Sequence, residues 1–242
     1  MTDPRDNAVK KRLSGVKRVI AVAAGKGGVG KTSVSSLLAL ALAEKGYKVG
    51  LFDLDFYGPS VHLVLGVESE KPEEDKGIIP PEVGGIKFMS IVFYSLNRPF
   101  AVRGKEITNA MKELLAITRW GNLDFLILDM PPGLGEATLD MIKFVKNIEF
   151  LVVSTPSKLS LETVKKLVEM LKESKAKLVG LIENMSDGDF KRKGRMFGLP
   201  VLGRVGFDRD FEGSLGSMEK LLKTSFLKDI RRIIPKIEGM KA

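Results

Sequence analysis

The sequence predicts an α/β architecture, a mostly parallel sheet covered by helices on both faces. Three observations point there. β-Branched apolar runs of strand length alternate with helical stretches along the chain. A glycine-rich loop joins the first of these runs to the first long helical stretch. Aspartates stand at the ends of two later runs, and in parallel sheets ligands sit beyond the carboxyl ends of the strands. A length of 242 residues suits one such domain better than two.

In chain order, residues 1–16 are polar and basic and read as a loose arm ahead of a domain spanning 17–242. "KRVIAVAA", residues 17–24, is the apolar run of a strand buried on both faces. After the glycine loop, "KTSVSSLLALALAEKG" (31–46) reads as a helix stopped at Gly46. "KVGLFDLD" (48–55) is a second buried strand carrying Asp53 and Asp55 at its end, and residues 68–77 form a charged surface loop. "IKFMSIVF" (86–93) is a third strand, and residues 105–117 have helical spacing. "LDFLILDM" (123–130) and "EFLVVST" (149–155) are strands. Between them and the strand "AKLVGLIENM" (176–185) lies an amphipathic helix with Leu161, Val164, Leu167, Val168 and Leu171 on one stripe. A short strand at 199–205 precedes a tail that reads as helical from Ser217 to Ile234, ending at Pro235.

Composition narrows the chemistry. The chain holds no cysteine and one histidine, His62, which excludes disulfides, thiolate zinc sites and an iron–sulfur cluster held by its own thiolates. No apolar run approaches the ~20 residues that span a bilayer, and no signal peptide is evident, so the cytoplasm is the expected compartment. The net charge of +9 is compatible with nucleic acid, acidic lipid or an acidic protein as partner. The lysines are spread along the chain, which favours a solvated surface.

Gly25, Gly30, Lys31 and Thr32 fit the spacing G-x-x-x-x-G-K-[ST], between a strand and a helix as that motif requires. Gly25, Gly27, Gly28, Val29 and Gly30 would wrap phosphate with backbone N–H groups, with Ser33 in the first helical turn. Lys31 would reach the β- and γ-phosphates of a nucleotide, and the Thr32 hydroxyl would ligate Mg2+. Asp129, after "FLIL", stands where a carboxylate holds that Mg2+. Pro131, Pro132 and Gly133 follow, and a glycine there can turn its N–H toward a γ-phosphate, making a switch. Asp53 and Asp55, two apart at a strand end, share a face, and one of them could orient the attacking water while the other only caps the loop. Lys26 is a second loop lysine. It is either a solvated side chain or a cation acting on a nucleotide held by a second copy of the chain, and spacing leaves both readings open.

"GKGGVGKT" (25–32) resembles the deviant Walker A motif of the MinD/ParA/Mrp ATPases, in which the early lysine crosses a dimer interface. "DLDFYGPSV" (53–61), "RG" (103–104), "WGNLDFLILDMPPGLGEATL" (120–139) and "GLIENMS" (180–186) resemble the Mrp branch in particular. The resemblance runs from about residue 17 to the end. It implies a single P-loop NTPase domain, ATP and Mg2+ as cofactors, a homodimer around the nucleotide, catalytic roles for Lys26, Lys31 and Asp55, with Asp55 orienting the attacking water and Asp53 as its support or an outer Mg2+ ligand, and adenine recognition by Asn184.

Mrp proteins commonly carry Cys-x-x-Cys after Glu-Asn-Met-Ser, and here that stretch reads "SDGDFKRKGRMFG" (186–198). A complete ATPase without cluster thiols resembles the HypB-type nickel-insertion ATPase of archaeal nickel–iron hydrogenase maturation, working with a small nickel- and zinc-binding partner. That is the favoured expectation. The alternative is Mrp-type iron–sulfur assembly without the chain's own cluster ligands. Rival classes are a ParA/MinD-like ATPase positioned on DNA or membrane and a regulatory module that binds nucleotide without turnover. Nucleic acid is disfavoured as a partner. The tracts "VKKRLSGVKR" (9–18) and "KRKGR" (191–195) would serve the DNA reading, and the amphipathic tail the membrane reading, although Leu222, Phe226, Ile230 and Ile233 are expected to dock on the sheet. His62 is expected to be packing rather than a contact to a partner's metal. The loops at 68–77 and 186–197 are candidate docking surfaces.

Overall fold

A computed structural model describes residues 3–95, 104–133, 135–186 and 197–240. The elements are α1 (Pro4–Leu13), β1 (Val16–Ala24), α2 (Lys31–Glu44), β2 (Val49–Asp53), α3 (Val61–Leu65), β3 (Glu73–Glu74), β4 (Ile78–Ile79), β5 (Glu82–Val83), β6 (Ile86–Ser90) and α4 (Val92–Ser95). They continue with α5 (Lys105–Ile117), β7 (Leu123–Asp129), α6 (Glu136–Phe144), β8 (Glu149–Ser154), α7 (Lys158–Glu173), β9 (Lys177–Ser186), β10 (Val201–Gly206), α8 (Met218–Leu221) and α9 (Ser225–Gly239).

The main sheet has eight strands in the order β10-β9-β8-β1-β7-β2-β6-β5. All neighbours are parallel except the edge pair β5–β6. Strand periodicity sends alternate side chains to opposite faces. In β1, Val19, Ala21 and Ala23 enter one apolar core with α1, α5, α6 and α7, while Ile20, Val22 and Ala24 enter the other with α2, α3 and α9. This two-sided burial makes the central strands near-continuous apolar runs and leaves their carboxyl ends as the open rim where polar chemistry collects.

Several sequence expectations change. The basic segment read as a loose arm is helix α1, capped by Asp3 and docked through buried Val9. Lys112 of α5 holds it with Nζ 2.9 Å from Asp3 and 2.6 Å from Asp6, while lying 4.7 Å from the Phe144 ring centre. The third strand stops at Ser90, and the chain turns into α4. Asp55 lies beyond β2, which ends at Asp53. The last helix runs through Pro235 to Gly239. A proline removes one helical donor, and the apolar face of α9 holds the helix across that gap. Phe226, Leu227, Ile230, Ile233, Ile234 and Ile237 are all buried, with Leu222 partly so, and the face proposed for a membrane is thereby occupied by the sheet. No helix among the described residues is long and apolar enough to cross a membrane.

Ile230 is fully buried in this face. Ile230→Ala is expected to lower the unfolding free energy by about 2–4 kcal/mol in urea titrations with little change in slope. A loss under about 0.5 kcal/mol would mean that α9 is not anchored as described.

Candidate nucleotide site

The loop after β1 is held from both sides. A Cβ on Gly25 would lie 2.5 Å from the Thr163 carbonyl carbon of α7, so only glycine lets the loop start there. Gly30 caps α2 in the left-handed region, at φ 78°, and a Cβ on it would lie 2.2 Å from Asn184 Nδ2. Val29 is buried beneath the loop, while Gly27 and Gly28 face solvent, leaving their N–H groups reachable. The start of α2 then presents Lys31, Thr32 and Ser33 where helix geometry leaves backbone donors free for an anion.

Three side chains of α2 converge on Asp129 at the end of β7. Lys31 Nζ lies 2.7 Å from Oδ1, the Thr32 hydroxyl donates to Oδ2 at 2.8 Å, and Ser35 Oγ lies 2.8 Å from Oδ1. Asp129 is fully buried and Lys31 is 7% exposed, so each charge is tolerated there because the other is present. The sequence pointed to Lys31, Thr32 and Asp129. It missed Ser35, whose signal was its place one helical turn after Lys31.

Asp53 is the register partner of Asp129 across β2 and β7 and is fully buried. Burial and the Asp129 charge beside it push its pKa up to about 8, against the opposing pull of the Val61 and Asp55 N–H groups and of Lys31. Both its oxygens are engaged: Oδ1 accepts the Asp55 N–H at 3.1 Å, and Oδ2 accepts those of Ser60 and Val61 at 3.1 and 3.2 Å. Asp53 thus ties down the loop that carries Asp55. Asp55 in turn accepts the Gly58 N–H at 3.2 Å and lines a cavity of ≈ 260 Å3 together with Pro131, Pro132 and Thr108. Gly133 is in the left-handed region, at φ 94°, and its N–H donates to the Ala24 carbonyl at 3.0 Å, so turning it to a phosphate requires releasing that bond. Lys26 is half-buried and makes no hydrogen bond or ion pair among the described residues.

Asn184, near the end of β9, donates from Nδ2 to the Val29 carbonyl at 2.9 Å, while its Oδ1 is buried with no hydrogen-bond partner among the described residues. It borders a second cavity of ≈ 380 Å3 lined by Gly30, Thr32, Phe207, Phe211, Leu215 and Phe226 among others. That acceptor stands next to the phosphate loop in a cleft that combines Phe207, Phe211 and Phe226 with Asp208, Arg209 and Glu212, and it would suit an exocyclic amine such as that of adenine, whereas a guanine would offer a second acceptor there instead. The loop after β10, carrying Phe207, was not read from the sequence, although it lies at a strand's carboxyl end. His62 is half-buried in α3, with its pKa lowered by burial. No group of three or more His, Cys, Asp or Glu among the described residues is arranged to hold a metal ion. Arg103 and residues 187–196, which include "KRKGR", lie outside the described residues.

A phosphate-wrapping loop on a doubly covered parallel sheet, with its lysine and hydroxyl converging on a strand-end aspartate, defines the class as a P-loop NTPase, for which nucleotide and Mg2+ are the cofactors. The chain belongs to the family described as "ParA: NUBPL iron-transfer P-loop NTPase", whose model matches residues 15–222. It is 40% identical over 218 residues to the iron–sulfur cluster carrier protein of Aquifex aeolicus, covering 82% of this chain and 60% of that one. To the iron–sulfur cluster carrier protein of Methanocaldococcus jannaschii it is 33% identical over 263 residues, covering 98% of this chain and 91% of the relative. Among solved structures, a nucleotide-binding protein of Archaeoglobus fulgidus in complex with ADP superimposes with a TM-score of 0.74 at 33% identity, covering 97% and 96% of the two chains. The cell division ATPase MinD of Pyrococcus furiosus shares the fold, with a TM-score of 0.68 at 22% identity over 93% of this chain and all of that one. These relatives give no support to the nickel-insertion expectation, since the curated ones are named for iron–sulfur clusters.

Replacing Asn184 with Ala is expected to weaken ATP binding about tenfold and to narrow the preference for ATP over GTP, measured by calorimetric titration of both nucleotides. Equal weakening for both would assign the amide to loop support alone.

Proposed function

We propose that the chain is an ATP-hydrolysing assembly factor for iron–sulfur centres whose cluster is held by a partner. The observation that carries the ATPase reading is the convergence of Lys31, Thr32 and Ser35 on buried Asp129 beside a preformed phosphate loop. Lys31 would leave Asp129 for the β- and γ-phosphates, freeing the carboxylate and the Thr32 hydroxyl to hold Mg2+, which would offset phosphate charge. Asp55 would orient a water whose oxygen bonds to the γ-phosphorus as the bond to the bridging oxygen of ADP breaks. The products would be ADP and phosphate.

Two copies would close around the nucleotides, and Lys26 would stabilise charge on the phosphoryl group held by the other copy. Its lack of a hydrogen bond or ion pair among the described residues supports that role, because a half-buried cation gains most when an anion arrives. Pro131, Pro132 and Gly133 would report the γ-phosphate to the dimer. The family and the names of the relatives support an iron–sulfur cargo. The missing cysteines require that its ligands come from elsewhere.

Lys26→Ala is expected to lower ATP turnover by at least about 100-fold and to abolish ATP-dependent dimers in light scattering, with ATP affinity little changed. Normal turnover and dimerisation would remove Lys26 from the site. The cargo is tested by anaerobic purification of the tagged chain with and without ATP and by assay of the co-purifying proteins. Iron with acid-labile sulfide supports the proposal, and nickel without iron overturns its cargo.

A further inference from the structure

The amino ends of the strands, opposite the nucleotide site, gather lysines that the sequence scatters. Lys10 of α1, Lys17 at the start of β1, Lys143 of α6, Lys146 in the loop before β8, Lys175 in the loop before β9 and Lys177 of β9 all line one groove of ≈ 700 Å3. A smaller cavity shares Lys10, Lys17 and Lys146 and extends the groove along α1. Lys17 pairs with Asp124 at 2.7 Å, Lys143 with Asp140 at 3.0 Å and Lys177 with Glu149 at 3.3 Å. The ammonium groups of Lys10, Lys146 and Lys175 are exposed and make no ion pair among the described residues. Glu149 is the acidic residue lining the groove, and it is already neutralised, since Arg18 holds it at 2.6 Å in addition to Lys177. The groove therefore carries uncompensated positive charge in a concave setting, where field lines concentrate.

We propose that this groove binds an acidic polypeptide segment of a partner protein, and that it does so independently of nucleotide. Its lining favours carboxylates over the phosphates of nucleic acid. All six cations are lysines, with no arginine to fork onto phosphate. Its one aromatic ring, Phe144, is half-buried under Lys112, so no exposed platform exists on which bases could stack. Half-buried Ile142 and Ala176 give the floor apolar contacts suited to the side chains that separate acidic residues in a peptide. Lys17 and Ala24 stand at opposite ends of β1, roughly 23 Å apart at strand rise. That separation exceeds the Debye length of about 8 Å at physiological salt, so nucleotide charge does not reach the groove. A partner held here stays attached through the whole nucleotide cycle while its other end visits the ATP-bound face. The inference stands without the proposed cargo.

The test is fluorescence anisotropy of a labelled ten-residue glutamate peptide, with single-stranded DNA and phosphatidylserine vesicles as rival ligands. The wild-type chain is expected to bind the peptide more tightly than either rival, with less than a twofold change on adding ATP and Mg2+. The triple variant Lys10→Glu, Lys146→Glu, Lys175→Glu is expected to weaken peptide binding at least tenfold. An equally charged variant on exposed helix faces, Lys165→Glu, Lys166→Glu, Lys228→Glu, keeps wild-type affinity. Equal loss in both variants would reduce the effect to net charge and overturn the site. Tighter binding of DNA or vesicles, lost with the groove lysines, would overturn the partner class. Thermal unfolding of each variant establishes that it is folded.

Discussion

The contact between Lys31 and Asp129 organises the site. A cation and a carboxylate lie buried at the meeting point of β1, β7 and α2, where neither would be tolerated alone. Thr32 and Ser35 complete the same cluster, so one aspartate fixes the orientation of the first turn of α2. Its charge also bears on the neighbouring strand: Asp53 sits beside it in register and becomes hard to ionise, and the loop carrying Asp55 is fastened to Asp53 by backbone donors. Phosphate loop, candidate metal carboxylate and candidate water-orienting residue are therefore parts of one electrostatic unit.

Much of this was legible from sequence because it is local. Strand, glycine loop and helix follow one another within residues 16–44, and their signals need no tertiary information. Where tertiary packing decides, sequence reasoning fell short. Residues 4–13 are polar enough to suggest an arm, yet Val9 and the Lys112 contacts with Asp3 and Asp6 turn them into a docked helix. Pro235 argued for a helix end, and six buried apolar residues along α9 outweighed one missing hydrogen bond. Asn184 was assigned to adenine through resemblance. The fold shows it bracing the Val29 carbonyl, which a strand-end asparagine does not announce. The lysine groove was illegible for a different reason: its members are up to 167 positions apart, from Lys10 to Lys177, and only the sheet order brings them together.

The cargo question turns on chemistry that the chain lacks. Its relatives are named for carrying iron–sulfur clusters, yet no thiol exists here to ligate iron. Family membership and ligand chemistry are reconciled if the nucleotide engine and the cluster ligands reside on different polypeptides.

The close approach of Gly25 to Thr163 has a further consequence. With the loop wedged against α7 at one end and braced by Asn184 at the other, little of it has to be ordered when a nucleotide arrives. A preorganised cradle spends little entropy on binding, but the α- and β-phosphates that such a backbone loop would grip are common to a nucleoside triphosphate and its diphosphate. Such a loop is a poor judge of whether the third phosphate is present. In the proposed cycle that discrimination would fall to side chains and turns that can still move, so the timekeeping would lie outside the most rigid part of the molecule.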